Sequence, residues 1–314
     1  MKKISILIPT YNEEENVTPL YEAIIAVFQP YAGRYDYEIV FIDNKSKDRT
    51  RTKLCALCEA DTHVKAIFNV KNFGQFNSPF YGLCQATGDC TITMCADFQD
   101  PVEMIPKFIA EWEHGYKIVI GIKTSSQEHG IMYYFRSQYY KFVKKFSEVE
   151  LIEHFTGFGL YDRTFIDILR KLEDPMPFMR GIVAELGFDR KEMPYHQAKR
   201  RTGKTSNNWY RLYDAGMLGI TSYTKIGLRM ATLIGFLVSV LSFFTGLIYL
   251  ILKLIYWDRF AAGTAPILIG MFFLGALQIF FIGLLGEYIL VMNARIMKRP
   301  LVVEEQRINF DKEE

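Results

Sequence analysis

Two long uncharged segments near the C-terminus constrain this sequence more than any other feature. Neither Met230–Leu252 nor Ala261–Gly286 contains a charged residue. Each segment is longer than the roughly 20 residues that a helix needs to cross the hydrocarbon core of a bilayer. A pair of buried helices in a soluble bundle is the alternative, but neither segment has a polar face at helical period. We therefore predict two transmembrane helices.

Basic residues flank these segments unevenly. The connection Lys253–Phe260 holds only Lys253 and Arg259, whereas the two outer flanks carry Lys199, Arg200, Arg201, Lys204, Arg211, Lys225, Arg229, Arg295, Lys298 and Arg299. The positive-inside rule then places both outer flanks in the cytoplasm. Upstream, the aromatic residues of 209–213 suit a helix lying in the membrane interface, with an ordinary amphipathic surface helix as the alternative.

The first two hundred residues alternate β-rich runs with helical patterns. The predicted strands are Ile4–Ile8, Tyr37–Ile42, Val64–Asn69, Cys90–Met94 and Lys117–Ile122. The predicted helices start at Glu13, carry Leu54 and Cys58, and span Asn77–Ala86 and Val102–Trp112. Such alternation predicts an α/β domain with a mostly parallel, Rossmann-like sheet and helices on both faces.

Composition excludes several other classes of protein. Half of the residues are hydrophobic, which excludes a disordered chain. The formal net charge of +2 gives no global field of the kind that marks a nucleic-acid binder. Five cysteines and no signal peptide indicate a reducing cytoplasm. Cys55 and Cys58 have zinc-site spacing, but no second pair follows at the spacing of a zinc finger, which favours packed thiols.

Polar and acidic residues cluster directly after three predicted strands, in the ranges Pro9–Glu13, Asp43–Asp48 and Asp97–Asp100. In parallel sheets, ligands bind at the carboxyl ends of the strands. Mg²⁺ and Mn²⁺ take oxygen ligands, usually one or two carboxylates together with substrate phosphates. Asp97 and Asp100 can both reach one ion, so the pattern predicts a nucleotide and a divalent metal, Mg²⁺ or Mn²⁺.

These motifs resemble the serial motifs of family 2 glycosyltransferases. The matching segments are Ile8–Glu13, Ile42-Asp43-x-x-Ser46-x-Asp48-x-Thr50, Ala96–Pro101, Arg180-Gly181, Arg200-x-x-Gly203-x-Thr205, Gly286–Ile289 and Arg299-Pro300. Within that family the sequence is most similar to the polyprenyl-phosphate glycosyltransferases, which include dolichol-phosphate mannose synthase and the bactoprenol glucosyltransferases. The resemblance covers nearly the whole chain.

The resemblance implies a nucleotide-diphospho-sugar transferase domain followed by interfacial helices and two transmembrane helices. It implies an inverting transfer of one sugar, with glucose from UDP-glucose as first choice, to undecaprenyl phosphate on the cytoplasmic leaflet of the cell membrane. The product would serve the modification of cell-envelope glycans. Membrane-anchored relatives also raise a homo-oligomer as a candidate assembly.

The resemblance also suggests roles for particular residues. Base and ribose contacts are expected from Pro9, Tyr11, Glu13 and Asp43. Asp97 and Asp100 are expected to hold the metal, with Asp97 as its main ligand. Contacts to the diphosphate or the lipid phosphate are expected from Arg136, Arg200 and Lys204. Arg136 has an equal alternative as a surface cation at the membrane interface.

The sequence departs from the family pattern at several positions. Cys95 stands where many relatives carry the first Asp of the metal motif. Lys45 follows Asp43-Asn44 where relatives often have Asp-Asp-Gly, and it is either a phosphate contact or a solvated residue. Gly157 and Gly159 replace an acidic residue and an Arg, so no catalytic base is assigned there.

These inferences give an expected layout of four segments: a catalytic domain in 1–205, an interfacial segment in 206–228, the two spans in 229–294 and a cytoplasmic tail in 295–314. The charged end of that tail, Glu304–Glu314, is expected to be loose. A processive polysaccharide synthase is an alternative function, but it should carry more spans and a Gln-x-x-Arg-Trp motif. A non-enzymatic membrane adaptor is the second alternative. Release of a nucleoside diphosphate would separate the enzyme from the adaptor.

Overall fold

The structure of this chain is a computed structural model that describes residues 1–125, 152–172, 174–198, 217–218, 221, 226–255, 264–297 and 299–310. The strands are β1 (Lys2–Thr10), β2 (Tyr35–Asp43), β3 (Val64–Asn69), β4 (Cys90–Thr93), β5 (Ile118–Ser125), β6 (Phe155–Asp162), β7 (Arg190–His196) and β8 (Glu304–Ile308). The α-helices are α1 (Val17–Phe28), α2 (Thr50–Ala60), α3 (Gly74–Gln85), α4 (Met104–Glu113), α5 (Arg163–Leu172), α6 (Met179–Glu185), α7 (Ile226–Ile255) and α8 (Thr264–Ile296).

The strands form one mixed sheet in the order β7-β5-β6-β4-β1-β2-β3-β8. The central strands β4, β1, β2 and β3 run parallel to one another. Strand β6 lies antiparallel between β4 and β5, and β8 lies antiparallel to β3. The predicted alternation of strands and helices over the first five strands is confirmed, whereas β6, β7 and β8 were not predicted.

Alternating side chains of the sheet build two separate cores. On β1, the buried Ile4, Ile6 and Ile8 pack on one face together with apolar residues of α1, α2 and α4. Leu7, between them, packs on the other face with residues of α3, α5 and α6. This period of two is expected for a strand covered on both sides. Helices on both faces of the sheet are therefore confirmed.

The C-terminal segment differs from its prediction. Instead of a loose tail, Glu304–Ile308 forms the edge strand β8, and the compact unit that holds the sheet contains residues 1–141, 149–208 and 294–314. The charged side chains of this segment give no apolar strand pattern in the sequence. An edge strand can form without such a pattern, because it needs a backbone hydrogen-bond partner rather than an apolar face. The second compact unit contains residues 142–148 and 209–293.

The first uncharged segment lies within helix α7, and the described part of the second, from Thr264 to Gly286, lies within α8, which continues to Ile296. Within the described residues, one stretch, Phe273–Ile296, is long and apolar enough to cross a membrane. Its large apolar side chains, such as Ile279 and Phe280, are mostly exposed. A membrane crossing by both helices stays a prediction, and the predicted interfacial segment 206–228 lies almost wholly outside the described residues.

The cysteine pair of α2 packs against the core. Cys58 is 2% exposed, and Cys55 packs against the same apolar cluster. Burial raises the pKa of Cys58 to about 12, so its thiol stays protonated at neutral pH. These contacts support the interpretation of the pair as packed thiols.

Candidate functional site

The carboxyl ends of three parallel strands bring the predicted site loops to one edge of the sheet. Thr10 at the end of β1 is the register partner of Asp43 at the end of β2. On the other side of β1, the N–H of Met94, which follows β4, donates to the carbonyl oxygen of Leu7 at 3.1 Å. The segments Pro9–Glu13, Asp43–Asp48 and Asp97–Asp100 therefore all begin at this edge, as the sequence predicted.

The first two loops are joined by hydrogen bonds between backbone and side chains. The N–H groups of Asn12, Glu13 and Glu14 donate to Ser46 Oγ at 2.8 Å, Thr50 Oγ1 at 2.8 Å and Asp48 Oδ2 at 3.2 Å, respectively. The N–H of Lys47 donates back to Asn12 Oδ1 at 2.8 Å. The spacing Asp43-x-x-Ser46-x-Asp48-x-Thr50 thus has a structural reason, because these side chains satisfy the backbone of the preceding loop.

Asp43 is a buried carboxylate at the end of β2, with 2% of its surface exposed. Burial raises its pKa, and hydrogen bonds from Ser46 and Thr10 oppose that effect. The N–H of Ser46 donates to Asp43 Oδ2 at 3.0 Å, and the Ser46 hydroxyl donates to Oδ1. The carboxylate is therefore held in a fixed position at the predicted base and ribose site.

The other predicted donor-site residues surround this position. Glu13 is buried, and its Oε2 accepts a hydrogen bond of 2.6 Å from Asn16 Nδ2 at the start of α1. Pro9 and Tyr11 are partly exposed. The structure brings Pro9, Tyr11, Glu13 and Asp43 together, while their contacts to a nucleotide stay predictions.

The loop after β4 is organised by its two aspartates, both of which are buried. Asp97 Oδ1 accepts a hydrogen bond of 3.1 Å from the N–H of Gln99. Asp100 accepts at both oxygens: the N–H of Cys95 donates to Oδ2 at 2.9 Å, and the hydroxyl of Tyr195 on β7 donates to Oδ1 at 3.0 Å. Burial raises the pKa of Asp100, and these bonds oppose that effect.

Cys95 is exposed beside these carboxylates. The negative charge of Asp100 and local desolvation raise the pKa of the thiol well above its usual value. Without a bound cation, these effects favour the neutral thiol, which adds no negative charge to the loop.

The carboxylates of this loop fit one kind of metal site. Among the residues that the structure describes, no group of three or more His, Cys, Asp or Glu side chains is placed to hold an ion. A cage made entirely of protein ligands is therefore not formed by that part of the chain. One or two carboxylates completed by donor phosphates are what Mg²⁺ and Mn²⁺ use in nucleotide sites. Asp97 and Asp100, the two buried carboxylates of this loop, are of the type that such a site uses.

Comparison with known proteins places this geometry in a family. Residues 5–185 match the family described as Glycosyl transferase family 2. The chain is a family 2 glycosyltransferase. It is 33% identical over 299 residues to the prophage bactoprenol glucosyl transferase homolog of Escherichia coli strain K12, covering 95% of this chain and 97% of that one. It is 31% identical over 306 residues to the bactoprenol glucosyl transferase of Shigella phage SfX, covering 97% and 99%.

Solved structures resemble this glycosyltransferase less closely. Glucosyl-3-phosphoglycerate synthase from Mycobacterium tuberculosis, solved in complex with phosphoglyceric acid, aligns with a TM-score of 0.48 at 15% identity. That alignment covers 70% of this chain and 78% of the other. Similarity at this level carries no inference about the donor, the metal or the acceptor of this chain.

Two glycines of the glycosyltransferase occupy positions where relatives often carry an acidic residue and an Arg. Gly157 has a φ of +104°, a conformation in which an L side chain is strained. Its carbonyl oxygen accepts a hydrogen bond of 2.9 Å from the hydroxyl of Tyr161. A Cβ on Gly159 would lie 2.5 Å from the backbone oxygen of Val119 on β5. A side chain at Gly157 would have open space but a strained backbone, and a side chain at Gly159 would clash with β5.

Each of the three site loops contains one non-glycine residue in the left-handed region. These residues are Asn12 at φ +57°, Lys45 at φ +63° and Phe98 at φ +59°. Such conformations cost on the order of 1–3 kcal/mol each and occur preferentially in ligand-binding loops. Each loop at this edge therefore holds one residue outside the commonly populated backbone regions.

Three predicted phosphate contacts, Arg136, Arg200 and Lys204, lie outside the described residues and stay predictions. Conversely, sequence reasoning missed two features of the site. The sequence motif contained Ser46 and Thr50, but no role was predicted for them. Their spacing from Asp43 was the feature that could have indicated their bonds to the loop after β1. No role was predicted for Tyr195, because β7 was not predicted and the contact to Asp100 spans 95 positions.

Proposed function

We propose that this glycosyltransferase is a membrane-bound, inverting enzyme that transfers one sugar to a polyprenyl phosphate on the cytoplasmic leaflet. Glucose is the first choice of sugar, and UDP-glucose is the first choice of donor. Undecaprenyl phosphate is the proposed acceptor, and cell-envelope glycan modification is the proposed purpose. Both α7 and α8 are proposed to cross the membrane, which makes the chain a multi-pass protein.

One observation carries this proposal. The similarity to proteins named bactoprenol glucosyl transferase runs over nearly the whole length of both chains, at 95% and 97% coverage in one case. It therefore includes the apolar helices as well as the sheet domain. A protein that used the sheet domain alone would leave the exposed apolar surface of α8 without a purpose.

The donor is proposed to bind at the edge formed by the three loops. Pro9, Tyr11, Glu13 and Asp43 would contact the base and ribose. Asp97, assisted by Asp100, would hold a divalent cation, Mg²⁺ or Mn²⁺, and the bonds of Asp100 to Cys95 and Tyr195 would fix the loop around it. When bound, such an ion neutralises charge that develops on the departing nucleoside diphosphate.

The acceptor side is proposed to work without a catalytic base. A lipid phosphate is already ionised near neutral pH, so its oxygen can attack the anomeric carbon without losing a proton. The bond from that carbon to the donor phosphate breaks as the new bond forms on the opposite face, which inverts the configuration. The glycines at 157 and 159 are compatible with this chemistry, because no proton has to be removed there.

A transfer assay tests the proposal. Detergent-solubilised protein would be incubated with undecaprenyl phosphate, Mg²⁺ or Mn²⁺, and a panel of labelled UDP- and GDP-sugars. We expect a glycosylated lipid with one UDP-sugar and release of the nucleoside diphosphate in equal amount. Binding of nucleotides without metal-dependent release would support the adaptor, and a polymeric product would support the processive synthase.

Replacing Asp97 with Asn should reduce this transfer by at least about a hundredfold, because an amide cannot supply the negative charge that the cation requires. The same assay, run over a range of Mg²⁺ and Mn²⁺ concentrations, measures the loss. Glu103→Gln is the matched control, since Glu103 is an exposed carboxylate of the same loop. Near-normal activity of Asp97→Asn at ordinary metal concentrations would remove Asp97 from the metal site.

A further inference from the structure

Strand β8 brings the C-terminal segment to the donor edge of the sheet. Because β8 runs antiparallel to β3, its first residues lie beside the carboxyl end of β3, where Asn69 pairs with Glu304. The N–H of Val70 also donates to the carbonyl oxygen of Val303 at 3.1 Å. The segment that follows α8 is therefore anchored next to the loop Asp43–Asp48.

Glu305 joins this strand to the donor loop. Its Oε2 lies 2.6 Å from Lys45 Nζ and 3.1 Å from Arg51 Nη1. Arg51 also donates to the side chain of Gln306 at 2.9 Å and lies over the ring of Phe68 on β3. One carboxylate of β8 thus binds two basic side chains: Lys45 in the loop after β2 and Arg51 in the first turn of α2.

The position of Lys45 makes this contact relevant to the donor. Lys45 lies between Asp43 and Ser46, at the left-handed residue of the turn in which Ser46 binds Asp43. The next residue, Lys47, is tied to Asn12 in the loop after β1. A restraint on the Lys45 side chain therefore acts on the turn that contains Asp43, a predicted contact to the nucleoside. The same turn is bonded to the loop after β1.

We propose that Glu305 is a positioning residue for the donor site: through Lys45 and Arg51 it holds the turn Asp43–Lys47 in its binding conformation. The expected effect of Glu305 on the KM for the donor rests on the proposed function. Glu305 itself is outside the reacting groups and acts through Lys45. The C-terminal strand is then part of the donor site, and a chain that lacks it would bind nucleotide more weakly.

The alternative is that Glu305 only stabilises the edge of the sheet. Glu304, the preceding residue of β8, provides the matched control. Its carboxylate binds Tyr81 and Arg307, and both of these partners lie outside the turn Asp43–Lys47. Glu304→Gln removes a comparable charge from the same strand while leaving the Glu305 contacts in place.

The first test measures amide hydrogen exchange in the full-length protein without ligand, so it does not depend on which donor is used. In Glu305→Gln, exchange at Ser46 and Lys47 should rise about two- to fivefold, the range expected for the loss of partly exposed ion pairs. Glu304→Gln should leave exchange at these two amides unchanged. Unchanged exchange at both amides in Glu305→Gln would overturn the inference, whether or not the chain transfers a sugar.

The second test separates binding from chemistry. In the transfer assay, Glu305→Gln should raise the KM for the donor about two- to fivefold with kcat unchanged. In a Lys45→Met background, the same substitution should have a much smaller effect on KM, because its main partner is already gone. An additive effect in the double variant, or a fall in kcat with KM unchanged, would contradict action through Lys45. Absence of transfer by the wild-type protein would instead reject the proposed function.

Discussion

Glu38 is a buried carboxylate on β2, 1% exposed, whose partners come from three different strands or loops. Lys65 Nζ lies 2.8 Å from one of its oxygens, and the hydroxyl of Thr87 donates at 2.8 Å. The hydroxyl of Ser5 and the N–H of Thr87 also donate to it. Burial alone would raise the pKa of Glu38, but these hydrogen bonds outweigh burial and lower the pKa to about 2.

A lowered pKa in the folded state gives a defined dependence of stability on pH. The contribution of Glu38 to the free energy of unfolding is complete above its ordinary pKa of 4.5, and it falls as the pH drops from there towards 2. The difference corresponds to on the order of 3 kcal/mol. Denaturant unfolding at several pH values should show a shallower loss of stability between pH 4.5 and 2 for Glu38→Gln than for wild type. The exposed control Glu59→Gln should keep the wild-type slope, and an unchanged slope in Glu38→Gln would refute the assignment.

At the scale of elements, Thr50 links the loop after β1 to helix α2. It is fully buried, and its hydroxyl accepts from the N–H of Glu13 and donates to Asp48 at 2.6 Å. Thr50→Val keeps the shape but leaves the buried N–H of Glu13 without its acceptor, which should cost about 1–3 kcal/mol. Thermal unfolding measures this loss, and the donor KM should rise with it. Thr52→Val, at an exposed position of the same helix, should change neither quantity; a Thr50→Val variant as stable as wild type would show that the link is dispensable.

Elements with an apolar pattern of their own were predictable, and elements made by distant partners were not. Strand β3, Val64–Asn69, has its predicted bounds because it is a short apolar run that both faces of the sheet bury. Strand β6 contains Gly157 and Gly159, which weaken any local strand signal, and it forms by pairing with β4 and β5. Strand β8 reads Glu-Glu-Gln-Arg-Ile and is a strand only because the edge of β3 supplies its hydrogen-bond partners.

The same distinction applies to the site. Asp43, Asp97 and Asp100 could be predicted as site residues from their positions directly after strands. A parallel sheet brings the carboxyl ends of its strands to one edge whatever the details of packing. The bonds that fix these carboxylates, such as the one from Tyr195 to Asp100, join residues far apart in sequence. Pairings of this kind depend on the whole fold, and no local spacing encodes them.

At the scale of the whole molecule, the proposed reaction requires a particular membrane topology. Nucleotide sugars are cytoplasmic, so the sheet domain must face the cytoplasm and the connection 253–260 must face outside. Ten Lys or Arg residues on the outer flanks, against two in the connection, give the charge bias that sets this orientation. Each Lys or Arg side chain near an anionic leaflet contributes about 1 kcal/mol to membrane binding. These contributions would hold the domain close to the lipid phosphate.

Labelling with a membrane-impermeant thiol reagent tests this topology. Ala262→Cys should label in intact cells, because that position belongs to the outer end of the proposed second span. Ser206→Cys should label above the wild-type level only after the cells are permeabilised, since it precedes the first span on the cytoplasmic side. Wild-type protein, whose exposed Cys95 has a raised pKa and therefore reacts slowly, gives the background in both conditions. Labelling of Ser206→Cys in intact cells, with protection of Ala262→Cys, would place the donor site on the wrong side of the membrane and exclude both the cytoplasmic donor and the proposed acceptor leaflet.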